Sequence, residues 1–272
     1  MDIADTRKCN LWNLQKLAHY LDTDVAALNG YYDEILADQQ FLAGLNDRMR
    51  AGRENGFTKG IFKRDSVDSA DWFAFERVLL YVLLRHLKPA FSLETGVFYG
   101  GNTAFMLAAL HRNGAGKLIS IDLPDSTIRK EAGTVEHARH PLVGDSEFYD
   151  KALKPGFLVP DYLKPFWEFV EGSSLDEIPK RRETFGFYMH DSDHSHDFLV
   201  AEIAAAKSKL SPSGVVVVDD IDWSNAFFAF CVEDHLAPVL FTDNGKDNLR
   251  VRTGLAMLDH PWNRVEAMTG RL

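Results

Sequence analysis

Acidic residues follow two strongly apolar segments in the second half of the chain. Asp191 comes directly after residues 185–190, and Asp219 and Asp220 come after the four valines at 215–218. If these segments are neighbouring strands of a parallel sheet, the three carboxylates meet at its carboxyl edge, where they repel one another unless a positive charge lies between them. Oxygen ligands suit Mg²⁺, Mn²⁺ or Ca²⁺ better than zinc. The pattern therefore predicts a divalent-metal site.

A candidate proton acceptor lies beside these acids. His194 is three residues after Asp191, and an imidazole titrates near neutrality and can take the proton of a hydroxyl group. Alternatives remain for each residue in this stretch. Asp193 competes with Asp191 as a ligand, His190 fits a hydrogen-bonded core residue, and the two adjacent aspartates could cap the next helix instead.

A glycine-rich turn precedes this region in the sequence "ETGVFYGGNT". Glu94 ends an apolar segment, and Gly96 and Gly100 allow sharp turns and close approach of the backbone to a ligand. Asn102 and Thr103 open the following helix with cap-type side chains and free N–H groups that suit a carboxylate. The turn lacks the G-x-G-x-x-G spacing of dinucleotide sites and the lysine of a P-loop.

Two further segment ends complete a candidate cofactor site. Asp122 closes "LISID", where an acid can accept hydrogen bonds from both ribose hydroxyls. Ser173 and Ser174 follow "WEFVEG" and could flank a purine. Each residue alone also fits a turn or a cap, but three such ends in order on successive strands indicate a cofactor site.

Elements that would position these residues can be read from periodicity. After Pro89, short apolar strands alternate with helices, which is typical of a mainly parallel sheet covered on both faces. Two β-rich runs around Asp243-Asn244-Gly245 predict a final antiparallel hairpin. The stretch before residue 88 is predicted to be helical, with a polar loop at 46–68. An insertion at 124–165 separates the second and third strands and is a candidate lid or substrate wall.

Composition excludes several classes of protein. The net charge of −10 argues against general affinity for nucleic acid or anionic membranes. The N-terminus has no apolar signal-peptide segment, and no apolar run reaches the ~18 residues of a membrane span. The only cysteines, Cys9 and Cys231, cannot form a disulfide framework, so we expect a cytoplasmic protein.

The ordered motifs resemble those of class I S-adenosylmethionine-dependent methyltransferases. The most similar branch is that of the metal-dependent small-molecule O-methyltransferases of the catechol, caffeoyl-CoA and macrolide-sugar types. "ETGVFYGGNT" matches their glycine turn, "ISIDLP" their ribose-binding acid, and "EGSSLDEIP" the strand end beside the adenine. The resemblance covers about residues 91–260. It implies a Rossmann-like, doubly wound seven-stranded α/β sheet that ends in an antiparallel hairpin, with added N-terminal helices.

The resemblance also implies roles for individual residues. Glu94, Gly96, Gly100, Asn102 and Thr103 would hold the methionine end of S-adenosylmethionine. Asp122 would bind the ribose, and Ser173 and Ser174 would lie beside the adenine. Asp191, Asp219 and Asp220 would be metal ligands, and Asp191 would also contact the cofactor. His194 would be the base.

These roles predict an O-methyltransferase that uses a divalent metal, Mg²⁺ or else Mn²⁺ or Ca²⁺, to methylate a small hydroxylated molecule. Region 1–88 would then be a substrate lid or an oligomer contact in a homo-oligomer, and 89–272 the cofactor-binding domain. Alternatives are a cephalosporin-hydroxylase-like tailoring enzyme of the same fold, a nicotinamide-dependent oxidoreductase, and a protein that binds the cofactor without catalysis.

Overall fold

The computed structural model describes residues 3–56, 72–123, 154–244 and 249–263. The described residues contain a seven-stranded sheet. Its strands are β1 (Phe91–Thr95), β2 (Lys117–Asp122), β3 (Trp167–Glu171), β4 (Phe185–His190), β5 (Leu210–Val218), β6 (Val239–Asn244) and β7 (Leu249–Met257).

The strands lie in the order β3-β2-β1-β4-β5-β7-β6. Strands β1 to β5 are parallel, whereas β7 runs antiparallel to both β5 and β6. The order therefore reverses at β1, and the carboxyl ends of β1, β4 and β5 meet at the position where open α/β sheets bind ligands. The predicted doubly wound sheet with a final antiparallel hairpin is confirmed.

Helices cover both faces of this sheet. They are α1 (Ile3–Tyr20), α2 (Val25–Ala37), α3 (Gln39–Glu54), α4 (Phe75–Leu87), α5 (Gly101–Asn113), the single turn α6 (Ser174–Glu177), α7 (His196–Lys207) and α8 (Ala226–Glu233). Short 3₁₀ turns occupy Asp161–Phe166 and Ile178–Lys180. Among the described helices, none has the length and apolar character needed to cross a membrane.

Helix α3 corrects one prediction. A loop is predicted at 46–68, but α3 continues to Glu54, and the structure does not describe the stretch after residue 56. Leu45, Met49 and Gly52 are buried along one side of this helix. A single stripe of buried residues is enough to anchor a helix whose other positions are polar, which is why its composition resembled that of a loop.

The N-terminal helices share a hydrophobic core with the sheet. One cluster of buried residues joins α1 to α5 to one face of the sheet, and a second cluster joins α7 and α8 to the other face. Leu17, Leu80 and Phe105 belong to the first cluster, and Leu199 and Phe227 to the second. Region 1–88 is thus continuous in packing with the rest of the chain, while its predicted use as lid or oligomer contact stays a prediction.

Helix α1 also covers the outermost strand, β6. The Asn13 amide donates to the carbonyl oxygen of Thr242 at 2.6 Å, and Lys16 Nζ donates to that of Leu240 at 2.6 Å. These bonds satisfy carbonyl groups at a sheet edge that would otherwise be open to pairing with another chain.

The end of the predicted insertion packs on the glycine-rich turn. Of residues 124–165, the structure describes those from 154 onward. The N–H groups of Gly156 and Leu158 donate to the carbonyl oxygens of Phe98 and Tyr99, both at 2.8 Å. The insertion therefore returns to the sheet beside the candidate cofactor site.

Candidate active site

Three carboxylates converge at the carboxyl edge of the sheet. Asp191 follows β4, Asp219 follows β5, and Glu76 lies in the first turn of α4. One ligand oxygen of each lies within 4.8 Å of the other two. We refer to Glu76, Asp191 and Asp219 as the acid cluster. Parallel pairing of β4 with β5 brings the two aspartates together as predicted, whereas Glu76 comes from a helix that the motifs did not include.

Asn102 links two members of the acid cluster. Its side-chain NH₂ donates to Asp191 Oδ2 at 2.9 Å and to Glu76 Oε1. Its oxygen accepts a hydrogen bond from Arg77 Nε at 3.2 Å, and this donor favours the amide orientation in which the NH₂ group meets the acids. The Asn102 side chain, predicted to bind the methionine carboxylate, is therefore engaged with protein groups.

The carboxyl groups of the acid cluster have raised pKa values. Burial is the main cause for all three, and the charge of Glu76 is the next contribution for both Asp191 and Asp219, whose pKa values lie well above the usual range. Arg77 and Arg252 lower the pKa of Glu76 but do not compensate for burial. Nearby positive charge favours ionised carboxylates, so a bound cation would replace protons that these groups otherwise hold.

Asp220 lies beside the acid cluster but points to a different partner. Its backbone has a φ of 49°, a left-handed conformation that aspartate tolerates better than most residues. Its Oδ1 accepts hydrogen bonds from Arg252 Nε at 2.7 Å and from Nη2 of the same guanidinium. Nη2 of Arg252 also lies 3.9 Å from Asp219 Oδ2, so the adjacent aspartates share this cation, with the shorter contacts to Asp220.

His194 lies at the rim of the acid cluster. Its Nε2 is 3.9 Å from Asp191 Oδ1 and 3.8 Å from Asp220 Oδ2. The ring packs edge to face on His190, with centroids 5.4 Å apart, and against Trp223 at 5.5 Å. The structure therefore brings the candidate base close to the candidate ligand Asp191 without a direct hydrogen bond between them.

Asp193 has a local structural role. It is exposed, and its Oδ1 accepts the backbone N–H of Ser195 at 2.8 Å at the start of α7. Asp193, which competes with Asp191 in the sequence, lies outside the acid cluster.

The two glycines of the turn bring backbone segments into contact. Gly96 has a φ of +80°, and a Cβ there would lie 1.9 Å from the carbonyl oxygen of Asp191. Gly100 has a φ of +83°, and its Cβ would lie 2.7 Å from the Cα of Gly156. The space that we expected Gly100 to leave for a ligand is therefore filled by the end of the insertion.

The Asp122 carboxylate accepts hydrogen bonds from the backbone of the same glycine-rich turn. Its Oδ2 accepts the backbone N–H groups of Val97 and Phe98, both at 2.8 Å, and its Oδ1 accepts that of Leu123 at 2.8 Å. The candidate ribose ligand thus also holds the glycine-rich turn in shape.

Glu94 is buried under the first turn of α5. Its carboxyl group accepts hydrogen bonds from Thr103 Oγ1 at 2.9 and 3.0 Å and from Ser120 Oγ at 2.5 Å. Burial outweighs these bonds and raises the pKa of Glu94 to about 8. Because the Thr103 hydroxyl is committed to Glu94, any role of Thr103 at the helix start falls to its backbone N–H.

The two serines after β3 differ in exposure. Ser173 precedes α6, and its carbonyl oxygen accepts the N–H groups of Asp176 and Glu177 at 3.0 and 2.9 Å. Ser174 is buried and hydrogen bonds to Glu202 of α7. Ser173 therefore remains the more accessible of the two candidate adenine contacts.

Glu202 is the centre of a second buried polar network. Although burial opposes ionisation, its hydrogen bonds and the neighbouring His190 hold the pKa of Glu202 below its ordinary value. His190 is fully buried, as expected for a core histidine, and its Nδ1 contacts Glu202 Oε2. Besides Ser174, this carboxylate accepts hydrogen bonds from Thr95 at 2.8 Å, Tyr188 at 2.8 Å and Ser192 at 2.9 Å.

Sequence reasoning missed Glu76, Arg77, Arg252 and Glu202. A signal did exist for Arg252, because β7 pairs with β5 in the register Val218↔Gly254, and a hairpin strand beside β5 must bring its arginine near the aspartates that follow β5. The other three lie on helices, and nothing in their spacing indicates which strand end they meet.

Known proteins share this architecture. Residues 93–221 match the family model of a methyltransferase domain. The chain is similar to a putative O-methyltransferase from Klebsiella pneumoniae at 14% identity, covering 79% of this chain and 89% of that one with a TM-score of 0.51. For an O-methyltransferase from Bacillus cereus in complex with S-adenosylhomocysteine (SAH), the identity is 14%, the coverages are 85% and 97%, and the TM-score is 0.50.

A third similar structure is TomG from Streptomyces achromogenes, an O-methyltransferase involved in tomaymycin synthesis, with 19% identity, coverages of 79% and 88%, and a TM-score of 0.49. No curated protein gave a match. The matched domain runs from β1 to the residues just after β5, which are the strands that carry the glycine-rich turn and the two clustered aspartates. The chain therefore contains a region, residues 93–221, that matches a methyltransferase domain, and its fold is that of the O-methyltransferases to which it is similar.

Proposed function

We propose that this enzyme methylates a hydroxyl group of a small molecule with the help of a divalent cation. The observation that carries the proposal is the position of the acid cluster directly beside the glycine-rich turn. The backbone of Asp191 touches Gly96, so a methyl donor bound at the turn would lie next to an acceptor bound at the acids. Such proximity is the main requirement for a transfer between two bound molecules.

The cofactor would bind along the carboxyl ends of β1, β2 and β3. We assign its methionine end to the turn and the start of α5, its ribose to Asp122 and its adenine to the residues after β3. The full set proposed for the cofactor is Glu94, Gly96, Gly100, Asn102, Thr103, Asp122, Ser173, Ser174 and Asp191. Within it, the described contacts favour a supporting role for the Glu94 and Thr103 side chains, because they bond to each other inside the core.

The acid cluster supplies the oxygen donors that a divalent cation requires. Carboxylate oxygens are the usual ligands of Mg²⁺ and Mn²⁺, and the buried Asp219 Oδ1 has no hydrogen-bond partner among the described residues. A cation bound there would lower the pKa of a substrate hydroxyl. His194, within 4 Å of Asp191, would accept the proton that the hydroxyl loses.

The acceptor is proposed to be a free small molecule. The net charge of −10 disfavours nucleic acid and anionic membranes as partners, and Trp223, 47% exposed beside His194, offers an apolar contact for a compact substrate. We further propose a cytoplasmic enzyme and a homo-oligomer in which region 1–88 contributes to the substrate site or to the contact between subunits.

A ligand-binding screen followed by an activity assay tests this function. Thermal unfolding would be followed with SAH, with NAD and with Mg²⁺, each with and without EDTA. SAH at a hundred times its Kd should add about 2.7 kcal/mol to the free energy of unfolding. SAH formation from S-adenosylmethionine would then be measured with a panel of phenols, sugars and hydroxylated amides. Stabilisation by NAD without stabilisation by SAH would disprove the proposal.

A further inference from the structure

Glu76 is the member of the acid cluster that comes from outside the matched methyltransferase domain. It lies in the first turn of α4, before β1, whereas the domain match begins at residue 93. Its carboxylate nevertheless meets Asp191 and Asp219 within 4.8 Å. Glu76 also has the largest electrostatic influence on both aspartates after burial itself. The ends of β4 and β5 and the first turn of α4 therefore each supply one carboxylate to the same group of oxygen donors.

An unsatisfied atom indicates that this group is built for a ligand. Asp219 is 5% exposed, and its Oδ1 has no hydrogen-bond partner within the described part of the chain. A buried carboxylate oxygen without a donor costs about 1–3 kcal/mol or more, so its persistence needs a functional reason. A bound cation would satisfy it directly.

Asp220 is less suited to the third ligand position. Its Oδ1 is held by two nitrogens of Arg252, and its other oxygen lies 3.8 Å from His194 Nε2. Coordination through Asp220 Oδ1 would compete with the guanidinium, whereas Glu76 has a ligand oxygen within the cluster already.

Charge balance also favours a divalent ion. The ionised acid cluster and Asp220 together carry four negative charges, and Arg77 and Arg252 act on the same site with two positive charges. One divalent cation neutralises the remainder. Asn102 holds Glu76 and Asp191 at a fixed separation through its NH₂ group, which reduces the cost of arranging the ligands before a cation binds.

We propose that Glu76 of α4, rather than Asp220, completes the divalent-cation site with Asp191 and Asp219. The proposal rests on the cation-assisted function proposed above and assigns a new ligand to that site. It gives α4 a direct part in the active site, since Glu76 in its first turn would coordinate the ion. Asp220 would then act by holding Arg252 beside the cluster.

Direct measurement of Mn²⁺ binding to the full chain tests this assignment. Mn²⁺ affinity would be measured by electron paramagnetic resonance for the wild type and for Glu76→Gln, Asp219→Asn and Asp220→Asn, with Asp222→Asn as a matched control. Asp222 is exposed and lies close in sequence, so its variant has the same change of net charge. We expect losses of at least about tenfold for Glu76→Gln and Asp219→Asn. Asp220→Asn should lose less than about fivefold and Asp222→Asn should change little.

Thermal unfolding with and without Mn²⁺ provides a second readout. Glu76→Gln should remove most of the rise in Tm that Mn²⁺ gives the wild type, because the amide is a weaker ligand than the carboxylate. SAH affinity, measured on the same preparations, should fall less than Mn²⁺ affinity, because Glu76 is assigned to the cation and bonds to the proposed cofactor residue Asn102.

Two results would overturn the assignment. One is retention of Mn²⁺ affinity by Glu76→Gln together with its loss in Asp220→Asn. The other is absence of Mn²⁺ binding to the wild type. If SAH binding and methyl transfer then persist in EDTA, the proposed cation site is wrong while the O-methyltransferase function stands. Loss of SAH binding by the wild type would instead count against the proposed function as a whole.

Discussion

Gly96 and Asp191 are in direct backbone contact, because a Cβ on Gly96 would lie 1.9 Å from the Asp191 carbonyl oxygen. The Asp191 N–H also donates to the carbonyl oxygen of Thr95 at 2.9 Å. The glycine-rich turn and the acid cluster therefore share one stretch of packed backbone. Displacement of either feature must move the other, which couples the geometry of the proposed methyl-donor site to that of the proposed acceptor site.

The contact predicts the effect of a side chain at Gly96. Gly96→Ala adds a Cβ that collides with backbone at a φ of +80°, so we expect the free energy of unfolding to fall by more than about 2 kcal/mol. SAH affinity should fall at least about tenfold, because the turn must shift. Gly114→Ala is the matched control, since Gly114 has a φ of +66° with no atom within 4 Å of its Cβ position. Equal losses for the two variants in urea unfolding would contradict the coupling.

Asp122 is predicted to serve both the turn and the cofactor. Asp122→Ala removes the acceptor of the Val97 and Phe98 N–H groups, so stability should fall by about 1–3 kcal/mol and SAH affinity should fall as well. Asp122→Asn keeps one acceptor oxygen, so it should recover most of the stability but not the affinity if the acid binds ribose. Urea unfolding and calorimetric titration with SAH separate the two effects, and recovery of both by Asp122→Asn would argue against the ribose role.

The base proposed at His194 can be tested against its exposed neighbour His196. His194→Gln should reduce the rate of methyl transfer by about 10²–10⁴-fold and leave the Kd for SAH unchanged, because the ring packs on His190 and Trp223, which are outside the proposed cofactor set. His196→Gln should have little effect on either quantity, since His196 is exposed and pairs with Asp197. A rate that survives His194→Gln would remove His194 from the reaction.

Glu94 predicts how stability depends on pH. Burial raises its pKa from the ordinary 4.5 to about 8, so between these values the folded protein holds a proton that the unfolded chain has released. The contribution of Glu94 to stability is therefore complete below about pH 4.5, and it falls as pH rises until it levels off above about pH 8.

Glu94→Gln removes this dependence, because the amide cannot ionise. Relative to the wild type, the variant should gain up to about 1.4 kcal/mol in the free energy of unfolding for each pH unit inside that window. Urea unfolding at pH 5, 6.5 and 8 measures the difference. Glu171→Gln, at an exposed position at the end of β3, should run parallel to the wild type. Parallel curves for Glu94→Gln would show that Glu94 is ionised in the folded protein.

Much of the architecture could be predicted from periodicity. The short apolar runs that end at Glu94, Asp122, Asp191 and Asp219 are strands because β-branched and aromatic residues on both faces demand burial on both sides. Parallel strands place their carboxyl ends at one edge, so the meeting of Asp191 and Asp219 followed from chain order. The second half of α3 is predicted to be a loop because Met49 and Gly52 are its only buried positions among mostly polar residues.

The sequence by itself determined the mainly parallel sheet with its final hairpin and the strand ends that carry the glycine-rich turn and the aspartates, because these depend on local patterns. The doubly wound strand order came from the resemblance to a known family. Only the tertiary structure decided the third carboxylate. Glu76 reaches the acid cluster through the packing of α4 against the sheet, a long-range contact that no local spacing encodes. The pairing of Asp220 with Arg252 on β7 also depends on the long-range pairing of β7 with β5.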